Sequence, residues 1–173
     1  MNKKYKALII DCDGTLVASE RNALPTSIVT ETILKICSLI HVGVATSRPL
    51  FLASPIMKHL KLTGPSIVSA GAQIVDGKTF KILKQQQMAS EDISALVSIF
   101  KKFRLNFWVQ DGDSSDQEMT PDSIPQKAIE IAALGLTSQL ADKLKDELSK
   151  IEGLSVHKNL SWQQGKNDIV PKC

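Results

Sequence analysis

The chain has 173 residues, of which 43% are hydrophobic, 23% charged and 5% aromatic. This balance allows a buried core and excludes wholesale disorder, and the length predicts one ordinary domain or one domain with a modest insertion. The net charge of +3 is too small to favour nucleic-acid binding, which needs a concentrated basic patch.

The first half of the sequence predicts strands and helices in alternation. Short apolar runs predict strands that are buried on both faces, and apolar residues at helical spacing predict the helices between them. This order indicates right-handed crossovers and the parallel sheet of an α/β fold. The strands are expected at residues 7–10, 42–45 and 66–69, and the helices at 29–40, with Pro25 near the start, and 52–60.

The second half predicts an α+β unit. Polar and apolar residues alternate over 78–83, which is typical of a strand with one solvated face. An amphipathic helix is expected to begin at Ser90, and an acidic loop is expected over 111–125. Further strands are expected at residues 106–110, 128–133, 154–157 and 168–170, and a further helix at 140–151.

The cysteines and the N-terminus indicate a reducing compartment. Cys12, Cys37 and Cys173 are odd in number and far apart, so they form neither a disulfide framework nor a zinc spacing. The apolar run that follows the N-terminal lysines is too short for a signal peptide, and no window approaches the length of a membrane span. We therefore expect a soluble, cytoplasmic protein.

Two carboxylates follow the first predicted strand, in the segment Asp11-Cys12-Asp13-Gly14-Thr15. Ligands of open α/β sheets bind beyond the carboxyl ends of the strands, where Asp11 and Asp13 are expected on one side and Cys12 on the other. Two such carboxylates suit Mg²⁺, or a nucleophile paired with a general acid. The alternative is an ordinary Asp-Gly turn, which is weaker because the preceding strand has no polar face.

A hydroxyl cluster follows the second predicted strand, which should lie beside the first. Thr46 or Ser47 could donate a hydrogen bond to an anion near Asp11, and the helix N-terminus that follows is itself suited to anions. A helix N-cap at Thr46 or Ser47 is an equally good interpretation of this motif alone.

Together these features resemble the haloacid dehalogenase (HAD) superfamily of phosphotransferases. The matching residues are Asp-x-Asp-Gly-Thr-Leu over 11–16 and Thr46 at the end of the next strand. Within the superfamily, the chain is most similar to the Cof-type sugar-phosphate phosphatases, since residues 64–72 resemble a Cof segment, with Ala70 where that segment usually has Asn. The resemblance implies a HAD-like core over 1–80, an inserted α+β cap over 81–166 and a return to the core from 167 to 173.

The resemblance also implies a role for each matching residue. Asp11 would be the nucleophile that forms an aspartyl-phosphate, and Asp13 would protonate the leaving group and then activate water. Mg²⁺ would bridge Asp11, the backbone carbonyl of Asp13 and the phosphate of a small sugar phosphate or related metabolite. Thr46 would hydrogen-bond the phosphoryl oxygens. The other expected substrate-binding residues are Gly14, Thr15, Ser47 and Arg48, of which Arg48 would contact substrate or the cap.

Two further motifs of that family, a Lys and a second acidic pair, do not occur in the expected places. Lys172 lies too early, and no matching acidic segment follows the cap region. Two interpretations stay open: an incomplete phosphatase chain, or a shortened homologue that binds without catalysis. In either case we expect little phosphatase activity from the 173-residue chain, and self-association through the exposed apolar edge of the first strand.

Other classes fit the sequence less well. A receiver-type signalling domain would need an acceptor Asp after the third strand, where no acid precedes Asp76. No Gly-rich fingerprint supports a nucleotide-binding Rossmann domain. The acidic loop begins like a calcium-binding loop but has Asp116 where Gly is required, so a substrate-specificity loop is favoured, whose acids would disfavour highly anionic substrates.

Overall fold

The structure is a computed structural model that describes residues 5–112 and 117–172, except for the side chain of Lys172. The predicted loop positions 113–116, Cys173 and the first lysines lie outside the described residues. The chain divides into two compact units, Met1–Gln86 and Gln87–Cys173, and each contains its own hydrophobic cluster.

The first unit is an α/β fold with a five-stranded sheet in the order β1-β2-β3-β4-β5. Parallel pairing joins the first three strands, which confirms the predicted parallel sheet, and antiparallel pairing adds the last two. Its elements are β1 (Ala7–Asp11), α1 (Ser27–Cys37), β2 (His41–Ala45), α2 (Leu50–His59), β3 (Ser66–Val68), a 3₁₀ turn (Ser69–Gly71), β4 (Gln73–Val75) and β5 (Ile82–Gln85).

Close packing between strands explains one glycine of this unit. A Cβ atom added to Gly43 in β2 would lie 2.0 Å from the backbone oxygen of Pro65. Only a residue without a side chain fits there, so Gly43 allows the segment before β3 to lie directly against β2. The buried residues around this contact include Val42, Val44 and Val68.

β1 differs from the prediction in its burial. The apolar run predicted a strand that is buried on both faces, but β1 lies at the edge of the sheet and its residues alternate between exposed and half-buried. Ile9 is 48% exposed. The prediction of two buried faces was wrong, since β1 has a described neighbouring strand on one side only and its side chains are flanked only there. The predicted exposure of apolar residues in this strand is confirmed.

Two other local predictions were wrong. α1 begins at Ser27, after the N-cap Thr26, and not at Pro25. The strand predicted from residue 78 begins only at Ile82, because Asp76 nucleates a turn before it. The Asp76 carboxylate accepts hydrogen bonds from the backbone and hydroxyl of Thr79, at 2.8 and 2.9 Å, and these bonds lower its pKa.

The second unit packs two helices against an antiparallel sheet in the order β7-β6-β8-β10-β9. Phe100 and Phe107 stack within its core, with ring centroids 5.3 Å apart. The predicted acidic loop contains a short strand, β7. The elements are α3 (Ser90–Phe103), β6 (Phe107–Gln110), β7 (Gln117–Met119), β8 (Glu130–Leu136), α4 (Ser138–Leu148), β9 (Ser155–Leu160) and β10 (Asn167–Lys172).

The border between the units falls between Gln86 and Gln87, whereas the sequence predicted a border at residue 80. The segment predicted as a return to the core, 167–173, contains β10, which pairs with β8 and β9 in the second sheet. Across residues 5–112 and 117–172, no helix is both long and apolar enough to cross a membrane.

Candidate active site

The carboxyl ends of β1, β2 and β3 lie at one edge of the first sheet. Asp11 pairs in register with Ala45, and Ala45 pairs with Ile67. The residues that follow each strand are therefore neighbours, as expected for a parallel sheet. This arrangement brings the Asp11–Thr15 segment to the same edge as Thr46.

A tight turn carries the chain away from Asp11. The backbone oxygen of Cys12 accepts hydrogen bonds from Thr15, Leu16 and Val17, at 3.2, 2.9 and 3.0 Å. Gly14 has a φ of +76°, a conformation that glycine adopts without a steric penalty. Gly14 and Thr15 are exposed, so both predicted substrate-binding residues are accessible in this turn.

The nucleophile candidate, Asp11, is exposed at the end of β1. Within the described parts of the chain, its carboxylate has no hydrogen-bond or ion-pair partner. The next residue, Cys12, is fully buried, and Asp13 is half-buried. This alternation agrees with the expectation that the two acids lie on one side and Cys12 on the other.

Arg48 binds the Asp13 carboxylate through two hydrogen bonds. Arg48 Nε donates to Asp13 Oδ2 at 2.9 Å, and Nη2 donates to Oδ1 at 2.7 Å. The same guanidinium donates to the backbone oxygens of Glu20 and Arg21, each at 2.7 Å. Arg48 is only 2% exposed. The family resemblance predicted a contact of Arg48 with substrate or the cap, whereas its guanidinium binds an acid of the site.

Thr46, which follows β2, is buried, with an exposure of 6%. Its hydroxyl oxygen accepts a hydrogen bond from the backbone N–H of Arg48 at 3.1 Å and also shares a hydrogen bond with the Cys12 thiol. Ser47 is exposed. Neither residue caps α2, whose N-cap is Pro49 and has no side-chain hydrogen bond, so the N-cap interpretation was wrong.

Cys12 is not a nucleophile candidate in this environment. Burial raises the pKa of its thiol to about 11, and the negative charge of Asp13 acts in the same direction. A hydrogen bond with Thr46 opposes that shift but is the smaller effect. The thiol is therefore neutral near pH 7 and serves as a core side chain, as its predicted orientation requires.

The donor set at this edge suits a hard cation such as Mg²⁺. The Asp11 carboxylate is available, while both carboxylate oxygens of Asp13 are bound by Arg48. The backbone oxygen of Asp13, in contrast, accepts no hydrogen bond from the described residues. The described residues contain no group of three or more His, Cys, Asp or Glu side chains that could hold a metal. Most ligands of a bound Mg²⁺ would then be water or substrate oxygens, which that ion commonly retains.

A third group at this edge was missed by sequence reasoning. Ser69 and Ala70, just after β3, both have left-handed backbones, with φ of 50° and 54°. Ser69 N donates to Arg48 O at 2.8 Å, and Ala70 N donates to Thr46 O at 3.2 Å. These bonds tie the loop after β3 to the loop after β2. The only sequence signal was Ala70 itself, which stands where the Cof segment has Asn, a residue that tolerates this conformation.

Comparison with known families identifies the class. A sequence profile for haloacid dehalogenase-like hydrolases matches residues 8–169. The chain therefore belongs to the haloacid dehalogenase-like hydrolase family. This match favours the phosphotransferase interpretation over the receiver-type alternative. No curated protein matches the chain.

Solved structures agree on the fold. A haloacid dehalogenase-like hydrolase from Bacteroides thetaiotaomicron has a TM-score of 0.74 at 18% identity, over 96% of this chain and 71% of that one. A HAD subclass IIB sugar phosphatase has a TM-score of 0.66 at 15% identity, and the match covers 97% of this chain and 70% of that one. A Plasmodium vivax protein provisionally described as a HAD/Cof-like hydrolase has a TM-score of 0.72 at 17% identity, and the match covers 96% of this chain and 68% of that one. At these identities the likeness shows a HAD-like fold.

Proposed function

We propose that this chain carries the nucleophile and the acid–base residue of a phosphomonoester hydrolase that acts through an aspartyl-phosphate at Asp11. The observation that carries the proposal is the exposed Asp11 carboxylate, which lacks a protein partner among the described residues while neighbouring Asp13 is held by Arg48. Family membership and the fold shared with a sugar phosphatase favour a small sugar phosphate or related metabolite as substrate.

The proposed reaction has two displacements at phosphorus. An Asp11 carboxylate oxygen attacks the phosphorus, the bond to the substrate oxygen breaks, and Asp13 donates a proton to that leaving oxygen. Asp13 then takes a proton from water as the water oxygen attacks the aspartyl-phosphate. The products are an alcohol and inorganic phosphate, and both carboxyl groups return to their starting states.

Arg48 has a positioning role in this scheme. Its two bonds to Asp13 and its bonds to the carbonyls of Glu20 and Arg21 fix the acid–base residue against the loop that follows the turn. A carboxylate held in this way keeps one orientation, as in a preorganised site, and one of its two bonds to Arg48 lengthens when the proton moves. Because Arg48 is buried, we assign it this positioning role and not a contact with substrate.

The other predicted residues have simpler proposed roles. Thr46 donates its hydroxyl hydrogen bond to a phosphoryl oxygen, and the exposed residues Gly14, Thr15 and Ser47 line the phosphate position. The Asp11 carboxylate and the Asp13 carbonyl would hold Mg²⁺, which when bound would offset the charge repulsion between carboxylate and phosphate.

Cys12 and Cys37 are free thiols, which supports a cytoplasmic location.

Beryllofluoride, a mimic of an aspartyl-phosphate, tests the proposal without requiring turnover. We expect a Mg²⁺-dependent adduct in the ¹⁹F NMR spectrum of the 173-residue chain. Asp11→Asn should abolish the adduct because the amide is a poor nucleophile, while Asp76→Asn should leave it unchanged. An adduct that survives Asp11→Asn would contradict the proposal, and one that is lost only in Asp76→Asn would favour a receiver-type domain.

The binding of Asp13 by Arg48 favours a second candidate function, a module that binds phosphate esters without hydrolysing them. Both carboxylate oxygens of Asp13 are engaged, so proton transfer requires at least one of these bonds to lengthen. An adduct at Asp11 combined with no Mg²⁺-dependent hydrolysis of an aryl phosphate would favour this candidate. Turnover that disappears in Asp11→Asn would favour the hydrolase.

A further inference from the structure

The loop that follows β3 holds two adjacent residues in a conformation that is unfavourable for a side chain. Ser69 and Ala70 have left-handed backbones, with φ of 50° and 54°. A residue with a Cβ atom loses free energy in this region, so neighbouring groups must hold both residues there. The loop lies at the same edge of the sheet as the proposed active site, and its bonds show which part of that site it fixes.

Backbone hydrogen bonds connect this loop to the loop after β2. The Ser69 N–H donates to the Arg48 carbonyl at 2.8 Å, and the Ala70 N–H donates to the Thr46 carbonyl at 3.2 Å. Two successive N–H groups therefore hold the backbone of Thr46, whose hydroxyl is proposed to meet phosphate, and of Arg48, whose guanidinium binds Asp13. A different conformation of Ser69 or Ala70 would break these bonds and release the loop after β2.

A buried chain of side-chain hydrogen bonds begins at Ser69. Its hydroxyl donates to Gln73 Oε1 at 3.4 Å, and Gln73 Nε2 donates to Gln85 Oε1 at 2.6 Å. Ser69 and Gln73 are each only 2% exposed. A buried polar group that loses its partner is costly, so each member of this chain restricts the orientation of the next.

The sheet fixes the position of Gln73 itself. Gln73 pairs in register with Val68, the last residue of β3, and on its other side with Gln85 of β5. A backbone bond from Gln86 N to Ala72 O, at 2.9 Å, joins the same two segments beside this pair. Gln73 therefore connects Ser69 to a pair of strands and not to another loop.

We propose that Gln73 is a positioning residue of the active site. Through Ser69, its side-chain amide holds the loop after β3 in the left-handed conformation that binds the carbonyls of Thr46 and Arg48. This assignment rests on the proposed function, in which Thr46 binds phosphate and Arg48 holds Asp13. Gln73 acts through the two loops and takes no part in proton or phosphoryl transfer.

Titration with beryllofluoride and Mg²⁺, followed by ¹⁹F NMR, measures the effect of Gln73 on the site. Gln73→Met keeps the length of the side chain and removes its hydrogen bonds, so we expect it to weaken the adduct about tenfold or more. Ser69→Ala removes only the 3.4 Å bond to Gln73, and about a threefold loss of affinity is expected.

Ser66→Ala is the matched control for Ser69→Ala. Ser66 lies at the other end of β3, is fully buried, and its hydroxyl accepts a hydrogen bond from the Val44 N–H at 3.1 Å. Its loss should lower the free energy of unfolding in urea but leave the affinity for beryllofluoride unchanged. The control thus separates a general loss of stability from a loss of positioning.

The Arg48 side chain gives a second readout that does not depend on the adduct. Arg48 Nε donates to Asp13 Oδ2 at 2.9 Å, and the ¹H–¹⁵N resonance of this group can be assigned by its loss in Arg48→Met. We expect Gln73→Met and Ser69→Ala to shift or broaden the resonance and Ser66→Ala to leave it in place. If Gln73→Met does not fold, Ser69→Ala decides.

The two readouts separate this proposal from the proposed function. Where the wild type forms the adduct, an affinity that is unchanged in folded Gln73→Met and Ser69→Ala would overturn the positioning role, and so would equal losses in Ser69→Ala and Ser66→Ala. A wild type that forms no adduct would contradict the proposed function instead. In that case an Arg48 resonance that does not respond to Ser69→Ala would overturn the positioning role as well, and one that responds would support it.

Discussion

Arg48 binds both carboxylate oxygens of Asp13 across 35 residues of sequence, at 2.9 and 2.7 Å. The side chain of Arg48 is 1% exposed and that of Asp13 is 28% exposed, so a buried cation holds a carboxylate that still reaches solvent. The same guanidinium joins this pair to the carbonyls of Glu20 and Arg21. The ion pair thus links the loops after β1 and β2 at the proposed active site.

Removing the Arg48 guanidinium should destabilise the fold. We expect Arg48→Met to lower the free energy of unfolding by about 3 kcal/mol, near the lower end for a broken buried pair, because Asp13 is partly exposed. Urea denaturation measures the change. The control Lys102→Met removes an exposed ion pair with Glu147, and we expect it to cost less than about 1 kcal/mol. Equal effects of the two substitutions would show that the Arg48 pair does not stabilise the fold.

Ala70 should be a site of stabilisation. Its φ of 54° and ψ of 27° lie in the left-handed region, which costs an alanine about 1 kcal/mol and is better tolerated by asparagine. We therefore expect Ala70→Asn to raise the thermal midpoint. Ala72→Asn serves as a control because Ala72 has an ordinary φ of −67°. A rise in both variants, or in neither, would contradict this explanation.

Gly43 should tolerate no side chain. A Cβ at this position would approach the Pro65 oxygen to 2.0 Å, so Gly43→Ala must displace the backbone between β2 and β3. We expect a loss of about 3 kcal/mol or more in the free energy of unfolding, at the upper end for overpacking. Gly153→Ala meets no atom within 4 Å and adds only the strain of its φ of +81°, so about 1 kcal/mol is expected there.

Cys12 should make stability depend on pH in the alkaline range. Its pKa in the folded chain is about 11, above the ordinary value of 9.0. Between these values the unfolded thiol ionises while the folded thiol stays protonated, so stability should be fully present below about pH 9 and fall toward pH 11. Denaturation curves of the wild type and Cys12→Ala should therefore differ in alkaline slope. Parallel pH profiles would contradict the proposed burial of the thiol.

Local patterns predicted the part of the site that lies in one continuous segment. The apolar run before Asp11 predicts a strand, and alternation along that strand predicts that Cys12 is buried while Asp11 is exposed, as the structure has it. The parallel order of β1 and β2 followed from the helix between them, which confirmed Thr46 as a neighbour of Asp11. Their catalytic roles stay predictions.

Tertiary structure alone decided the rest. The sequence by itself determined the alternating elements, the family and the order of Asp11, Asp13 and Thr46, because strand and turn preferences act over a few residues. It could not determine that Arg48 binds Asp13, since that contact depends on how two loops meet. Nor could the apolar run by itself show that β1 is only partly buried, because burial depends on which strands pair beside it. An apolar run predicts which side chains of a strand favour burial, and only the assembled sheet determines which of them are buried.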